Sequence, residues 1–278
     1  MKQPEKKKRD FLTPILFLVF FAGLSLLLYP TVSNYWNSLH QSRAISAYAD
    51  EVAKLDRDRY DALWKEARDY NASLLERDNQ YVLTPEQTAQ YDKLLNVSGT
   101  GVMGYIEIPI INCSLSICHG TSDSVLQTSV GHLDWTSLPA GGESTHTVLS
   151  AHRGLPSAKL FTDLDRVQTG DTFLIRVLDE VMTYEVDQIL IVEPHEVAPL
   201  LISEGEDLCT LITCTPYGIN THRLLVRGHR VDNQKNYNTI RVTADAIQLE
   251  PTMVAPVISV PMLAILVVWL MIRYRKRR

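Results

Sequence analysis

Two charge-free apolar runs bracket this chain and constrain its fold more than anything between them. From Phe11 to Leu39 there is no Asp, Glu, Lys, Arg or His. Its core, FLTPILFLVFFAGLSLLLYP, is long enough to cross a bilayer. Lys2, Lys6, Lys7, Lys8 and Arg9 precede it. At the other end, residues 251–272 are also free of charge, and Arg273, Arg275, Lys276, Arg277 and Arg278 follow. Basic flanks stay inside, so both termini are expected in the cytoplasm and residues 33–252 outside the cell. No small-x-small cleavage site follows the first run, which reads as an uncleaved signal anchor rather than a signal peptide. Tyr29, Tyr35 and Trp36 suit its outer interface.

The 278 residues, 45% of them hydrophobic, suffice for one substantial external domain. A net charge of −5, with basic clusters only at the ends, argues against a nucleic-acid partner. The four cysteines give no CxxC zinc spacing, and no carboxylate-rich cluster points to bound metal. Cys113 and Cys118 are five apart, as are Cys209 and Cys214. Residues at odd spacing face opposite sides of a strand, so neither pair is a natural local disulfide, though a bend leaves a Cys113–Cys118 bridge open. Cys113, Cys118 and Cys209 read as packing residues.

Beyond the first apolar run, residues 44–75 carry Tyr48, Val52, Leu55, Tyr60, Leu63, Trp64, Ala67 and Leu74 at roughly helical spacing. They predict one amphipathic helix packed on the domain. Residues 76–97 are mostly polar; Thr84 as cap and Pro85 at the first position predict a short helix over 85–95. From Gly101 the apolar runs become short and strand-like: 102–111, 114–119, 146–151, 172–178, 182–192, 208–214 and 224–231. Helical pieces are expected near 124–128 and 158–164. Many short strands with few helices predict a mainly β, closed barrel.

The chemistry-bearing stretch is residues 210–230, TLITCTPYGINTHRLLVRGHR. A strand over 208–214 puts Thr210, Ile212 and Cys214 on one face. Turn residues follow, and a second strand begins at Arg223, so the loop would set Arg223 opposite Cys214. A nearby cation favours a thiolate. Taken alone, Cys214 reads as a small core hydrophobe and Arg223 as a solvated edge charge. His152 supplies the third element, at the end of the run 147–151, because a nucleophilic Cys needs a proton carrier. His222 and Arg153 adjoin these residues and so point to opposite faces. His119, His132 and His146 read as structural, and Arg227 as support for the fold or groove.

At these residues the chain resembles a known family. TLITCTPYG, THRLLVRG and AHRG (Ala151 to Gly154) are similar to the active-site segments of sortases, the cysteine transpeptidases of Gram-positive surfaces. GVMGYIEIPII, HGTS, GHLDWTSLPAGGESTH and LSAHRGLPSAKLFTDLD resemble class C, the pilin-polymerising sortases. The resemblance covers roughly residues 70–231 and extends to the membrane segments. It implies a sortase-like closed β-barrel, with an N-terminal helical and lid-like region and two transmembrane helices. It implies Cys214 as nucleophile, His152 as general acid/base and Arg223 as oxyanion or substrate stabiliser, with no cofactor and no metal. It further implies pilin subunits with LPxTG-like sorting signals as partners, one subunit's lysine accepting the cleaved signal of another, and residence in the cell membrane. The family's lid carries an Asp-Pro-aromatic anchor; residues 76–97 have none, and filling the groove is the lesser reading of Tyr81 there.

The chain therefore divides into a basic terminus (1–10), a signal anchor (11–32), an external helical and lid-like region (33–98), a catalytic barrel (99–232), a linker (233–252), a second span (253–272) and a basic tail (273–278). Other readings remain: a sortase that anchors surface proteins to wall peptide, a hydrolytic cysteine protease, or a non-catalytic membrane-anchored sortase-fold binding domain.

Overall fold

A computed structural model describes residues 12–77 and 81–233. The first apolar run forms part of a 41-residue helix, α1 (Leu12–Val52), which passes through Pro30. It is long and apolar enough to cross a membrane, and side chains such as Leu18, Leu26 and Leu27 are exposed along it. The second apolar run, 251–272, lies outside the described residues.

Further along α1, buried polar side chains replace exposed apolar ones. Gln41 donates to Thr128 O (2.6 Å) and accepts from both the backbone N and the hydroxyl of Ser116 (2.8 Å each). Tyr48 donates to Met103 O (2.9 Å) and accepts from Leu178 N (2.8 Å). Buried polar groups are tolerated when bonded in this way. The single helix expected over 44–75 is broken after Val52. Asp56 starts α2 (Arg57–Leu74), its carboxylate accepting from Arg59 N at 2.7 Å as an N-cap. α2 buries Leu63, Trp64, Ala67, Tyr70 and Leu74. α3 (Pro85–Tyr91) carries the expected Thr84 cap in a capping box with Gln87. It is shorter than predicted: a left-handed Leu95 (φ 58°) closes the segment.

Eight strands form the barrel: β1 (Val102–Ile108), β2 (Cys113–His119), β3 (Val130–His132), β4 (Thr145–Ser150), β5 (Thr172–Val177), β6 (Glu180–Val192), β7 (Asp207–Thr215) and β8 (His222–Val231). The order is β1-β2-β3-β4-β7-β8-β6-β5, closed by β5 on β1. Two pairings are parallel, β2 with β3 and β4 with β7. A four-residue helix, α4 (Asp123–Leu126), stands near the predicted 124–128. Three details depart from expectation. Pro109 ends β1 and starts a 3-10 turn, because proline cannot donate to the ladder. β3, three residues long, stands where no strand is predicted. Residues 158–164 form turns rather than a helix: Leu160 has φ 42°, and Phe161 N bonds to His152 O (3.2 Å) instead of to a helical partner.

Strand alternation builds two apolar layers. Cys209, Leu211, Ile106, Phe173, Ile175 and Val226 belong to the main core. On the opposite face of the β4, β7 and β8 strands, Val148, Ile212 and Leu225 form a second cluster with Leu200, backed by Leu133, Trp135, Leu190 and Val192.

Candidate active site

Cys214 and Arg223 are direct cross-strand partners in the antiparallel β7–β8 pair. Cys214 shares its face of β7 with Thr210 and Ile212, so the thiol sits at the end of the second apolar cluster. It is partly exposed, while its neighbour Thr213 is buried on the other face. The Arg223 guanidinium lies over the loop between the strands, donating from Nη1 to His222 O (3.1 Å) and Asn220 O (3.3 Å). Its planar fork keeps further donors for a ligand.

His152 reaches the same end of the barrel through the parallel β4–β7 pair. Ser150 lies opposite Ile212, so His152 and Cys214 each stand two residues beyond that pair. Two bonds hold the intervening chain in register: Ala151 N to Ile212 O (3.1 Å), and the Thr213 hydroxyl to Ala151 O (2.8 Å). The outgoing loop is fixed by Phe161 N on His152 O and by Gly154 N on the Thr162 hydroxyl (3.1 Å).

Neighbouring candidates are occupied elsewhere. His222 pairs in register with Thr215, and its Nδ1 lies 2.9 Å from the Thr221 hydroxyl. Arg227 makes a bidentate pair with Asp187, both bonds 3.0 Å, which ties β8 to the irregular step in β6 between Val186 and Gln188. His146 bridges Leu201 O (2.8 Å) and the Thr210 hydroxyl (2.7 Å), joining the loop before β7 to the strand. His132 is buried against Tyr91 and Ser137 O, and burial pushes it down to about 4. His119 spans Gly101 O and Leu94 O. All four cysteines are free thiols. Burial pushes Cys113 up to about 12, raises Cys118, and holds Cys209 well above the ordinary thiol range. Among the described residues, no group of three or more His, Cys, Asp or Glu side chains could hold a metal.

The sequence reading overlooked four contributors. Thr213 aligns the His152 segment. Thr215, buried after Cys214, accepts from Arg153 (3.3 Å). Asp165 pairs with Arg153. Trp135 backs the apolar cluster on the thiol's face, and the Tyr81 ring packs edge-on against it with centroids 5.2 Å apart. Tyr81, from the lid-like stretch, thus touches the cluster's rim without a preceding Asp-Pro. A threonine at alternating strand positions carries no local signal of such roles.

Residues 106–231 match the Sortase domain family. Sortase C1 from Streptococcus agalactiae is 49% identical, with a TM-score of 0.68 over 69% of this chain and 100% of that structure. Sortase C from Streptococcus pneumoniae is 45% identical, with a TM-score of 0.63 over 69% of this chain and 97% of that one. Sortase D of Bacillus subtilis is 29% identical over 131 residues, which span 46% of this chain and 63% of that relative.

Proposed function

This chain belongs to the sortases, in class C, a family of cysteine transpeptidases, and from that premise we propose that it joins pilin subunits by isopeptide bonds. Cys214 attacks the Thr–Gly carbonyl of an LPxTG-like sorting signal. The oxyanion forms beside Arg223, whose fixed donors strengthen as charge develops. His152 gives its proton to the departing glycine amine, leaving an acyl thioester on Cys214. The side-chain amine of a lysine on a second subunit then attacks that carbonyl. A C–N bond forms, the C–S bond breaks, His152 takes the amine proton, and the thiolate leaves. The thioester conserves the energy of the cleaved peptide bond, so no ATP is needed.

The observation that carries this reading is the register: Arg223 directly across from Cys214, with His152 at the matching position beyond the parallel β4–β7 pair. The S. pneumoniae relative is described with its pilin substrate specificity, which favours pilins as substrates here. α1 would anchor the enzyme in the membrane. Residues 253–272 would form a second span after a linker at 233–252, leaving both termini cytoplasmic and the barrel outside.

A transpeptidation assay tests this. The full chain in detergent is given an LPxTG-type peptide with and without a lysine-bearing pilin domain, and products are read by mass spectrometry. A Cys214-dependent isopeptide product is expected. Transfer only to a glycine or wall-peptide amine would instead favour surface-protein anchoring, a reading supported by the missing Asp-Pro-aromatic anchor in residues 76–97.

A further inference from the structure

A groove of about 420 Å³ is lined by residues that adjoin Cys214 and His152 in the chain. Ile189 and Ile191 line it, and they alternate along β6 with Leu190 and Val192 of the thiol's own face. Its other wall is Thr215, Pro216 and Tyr217, the residues that follow Cys214, together with Arg153, which follows His152. The groove and the thiol therefore share one rim while facing opposite ways.

Two features suit this groove to a ligand. Ile191 and Tyr217 are 65% and 60% exposed, an apolar surface with nothing over it among the described residues. Between them lies a polar centre. The Arg153 side chain is only 8% exposed; it pairs with Asp165, donates to Thr215 and lies under the Tyr217 ring. Its Nε is enclosed with no hydrogen-bond partner. A buried N–H left unpaired is costly, so this donor is set for an acceptor that arrives from outside. The Asp165 carboxylate remains 48% exposed beside it.

We propose that this groove is the docking site for the acceptor subunit, a segment in which apolar residues flank the attacking lysine. The inference rests on the transpeptidase reading above. Once the thioester has formed, the acyl segment fills the thiol's face, so the amine must come from another side of the rim. Apolar flanks bury against Ile189, Ile191 and Tyr217. A backbone carbonyl of the segment accepts from Arg153 Nε. Asp165 draws the lysine ammonium to the rim, where His152 takes its proton as the amine attacks.

The test separates the two half-reactions on the full chain in detergent. Thioester formation from an LPxTG-type peptide is followed by intact mass. Release is then measured with a peptide holding one lysine between paired valines, and with hydroxylamine, which needs no groove. Ile191→Glu alters an exposed side chain that the fold does not need. It should raise KM for the lysine peptide roughly tenfold, the effect of losing one good apolar contact. Thioester formation and hydroxylamine release should stay within about twofold of wild type. Ile189→Glu, at another exposed lining position, should weaken the lysine peptide in the same selective way. An unchanged KM in both variants, or acylation falling in parallel with transfer, would overturn the acceptor assignment alone. Absence of any thioester on the wild-type chain would overturn the transpeptidase reading and this inference with it.

Discussion

Cys209 and Cys214 stand five residues apart on one strand and meet opposite surroundings. Cys209 belongs to the main core, fully enclosed, and burial together with nearby Asp207 disfavours its thiolate. Cys214 lies at the strand's end on the other face, partly exposed and directly across from Arg223. The odd spacing that disfavours a local disulfide is also what divides their surroundings. A thiol's chemistry here is decided by its face and depth on the strand, not by its residue type.

The sharpest way to break this comparison is to exchange each cysteine. Cys214→Ala should lower transpeptidation roughly a thousandfold or more, since it removes the thiol that would carry the acyl group. The measurement is product formation by mass spectrometry, with the unfolding midpoint unchanged. Arg223→Ala tests the cross-strand partner. It should cost about 100- to 1000-fold in kcat, the usual effect of losing one oxyanion donor, with a smaller change in KM.

A third test extends the contrast to another enclosed titratable group. Burial depresses His132 from 6.5 to about 4 in the folded chain, so the unfolded chain binds the additional proton. The stability involved is fully present above about 6.5 and is lost as pH falls toward 4, on the order of 3 kcal/mol in all. Urea unfolding at pH 7 and pH 4.5 should show the loss, and His132→Gln should flatten the slope. The smallest effect is expected of Cys209→Ala: about 1 kcal/mol of stability from the small cavity, with activity within about twofold of wild type. A large loss of activity there would mean that the two thiols are coupled after all.

Much of this was legible in the chain itself. Alternation from Gly101 onward marks seven of the eight strands, and the hairpin over 208–231 sets Arg223 opposite Cys214. Local pattern could not see pairings made across long separations. The parallel β4–β7 register, which brings His152 level with Cys214, depends on residues more than 60 apart. β3 was missed because three residues carry no period. The break after Val52 was missed because Tyr48 and Leu63 both keep apolar spacing, while the interruption is set by the Asp56 cap. Residues 158–164 have helical composition, yet tertiary bonds to the His152 loop override it. Arg153 read as merely pointing away from His152; only the fold reveals the groove into which it points.

The most direct measurement is intact-mass detection of an acyl thioester after mixing the full chain with an LPxTG-type peptide. The predicted result is one adduct, mapped to Cys214, retained in Cys209→Ala and lost in Cys214→Ala, and discharged by a lysine amine to give an isopeptide. An adduct that survives Cys214→Ala, or that maps to another thiol, would contradict the assignment of Cys214 as nucleophile.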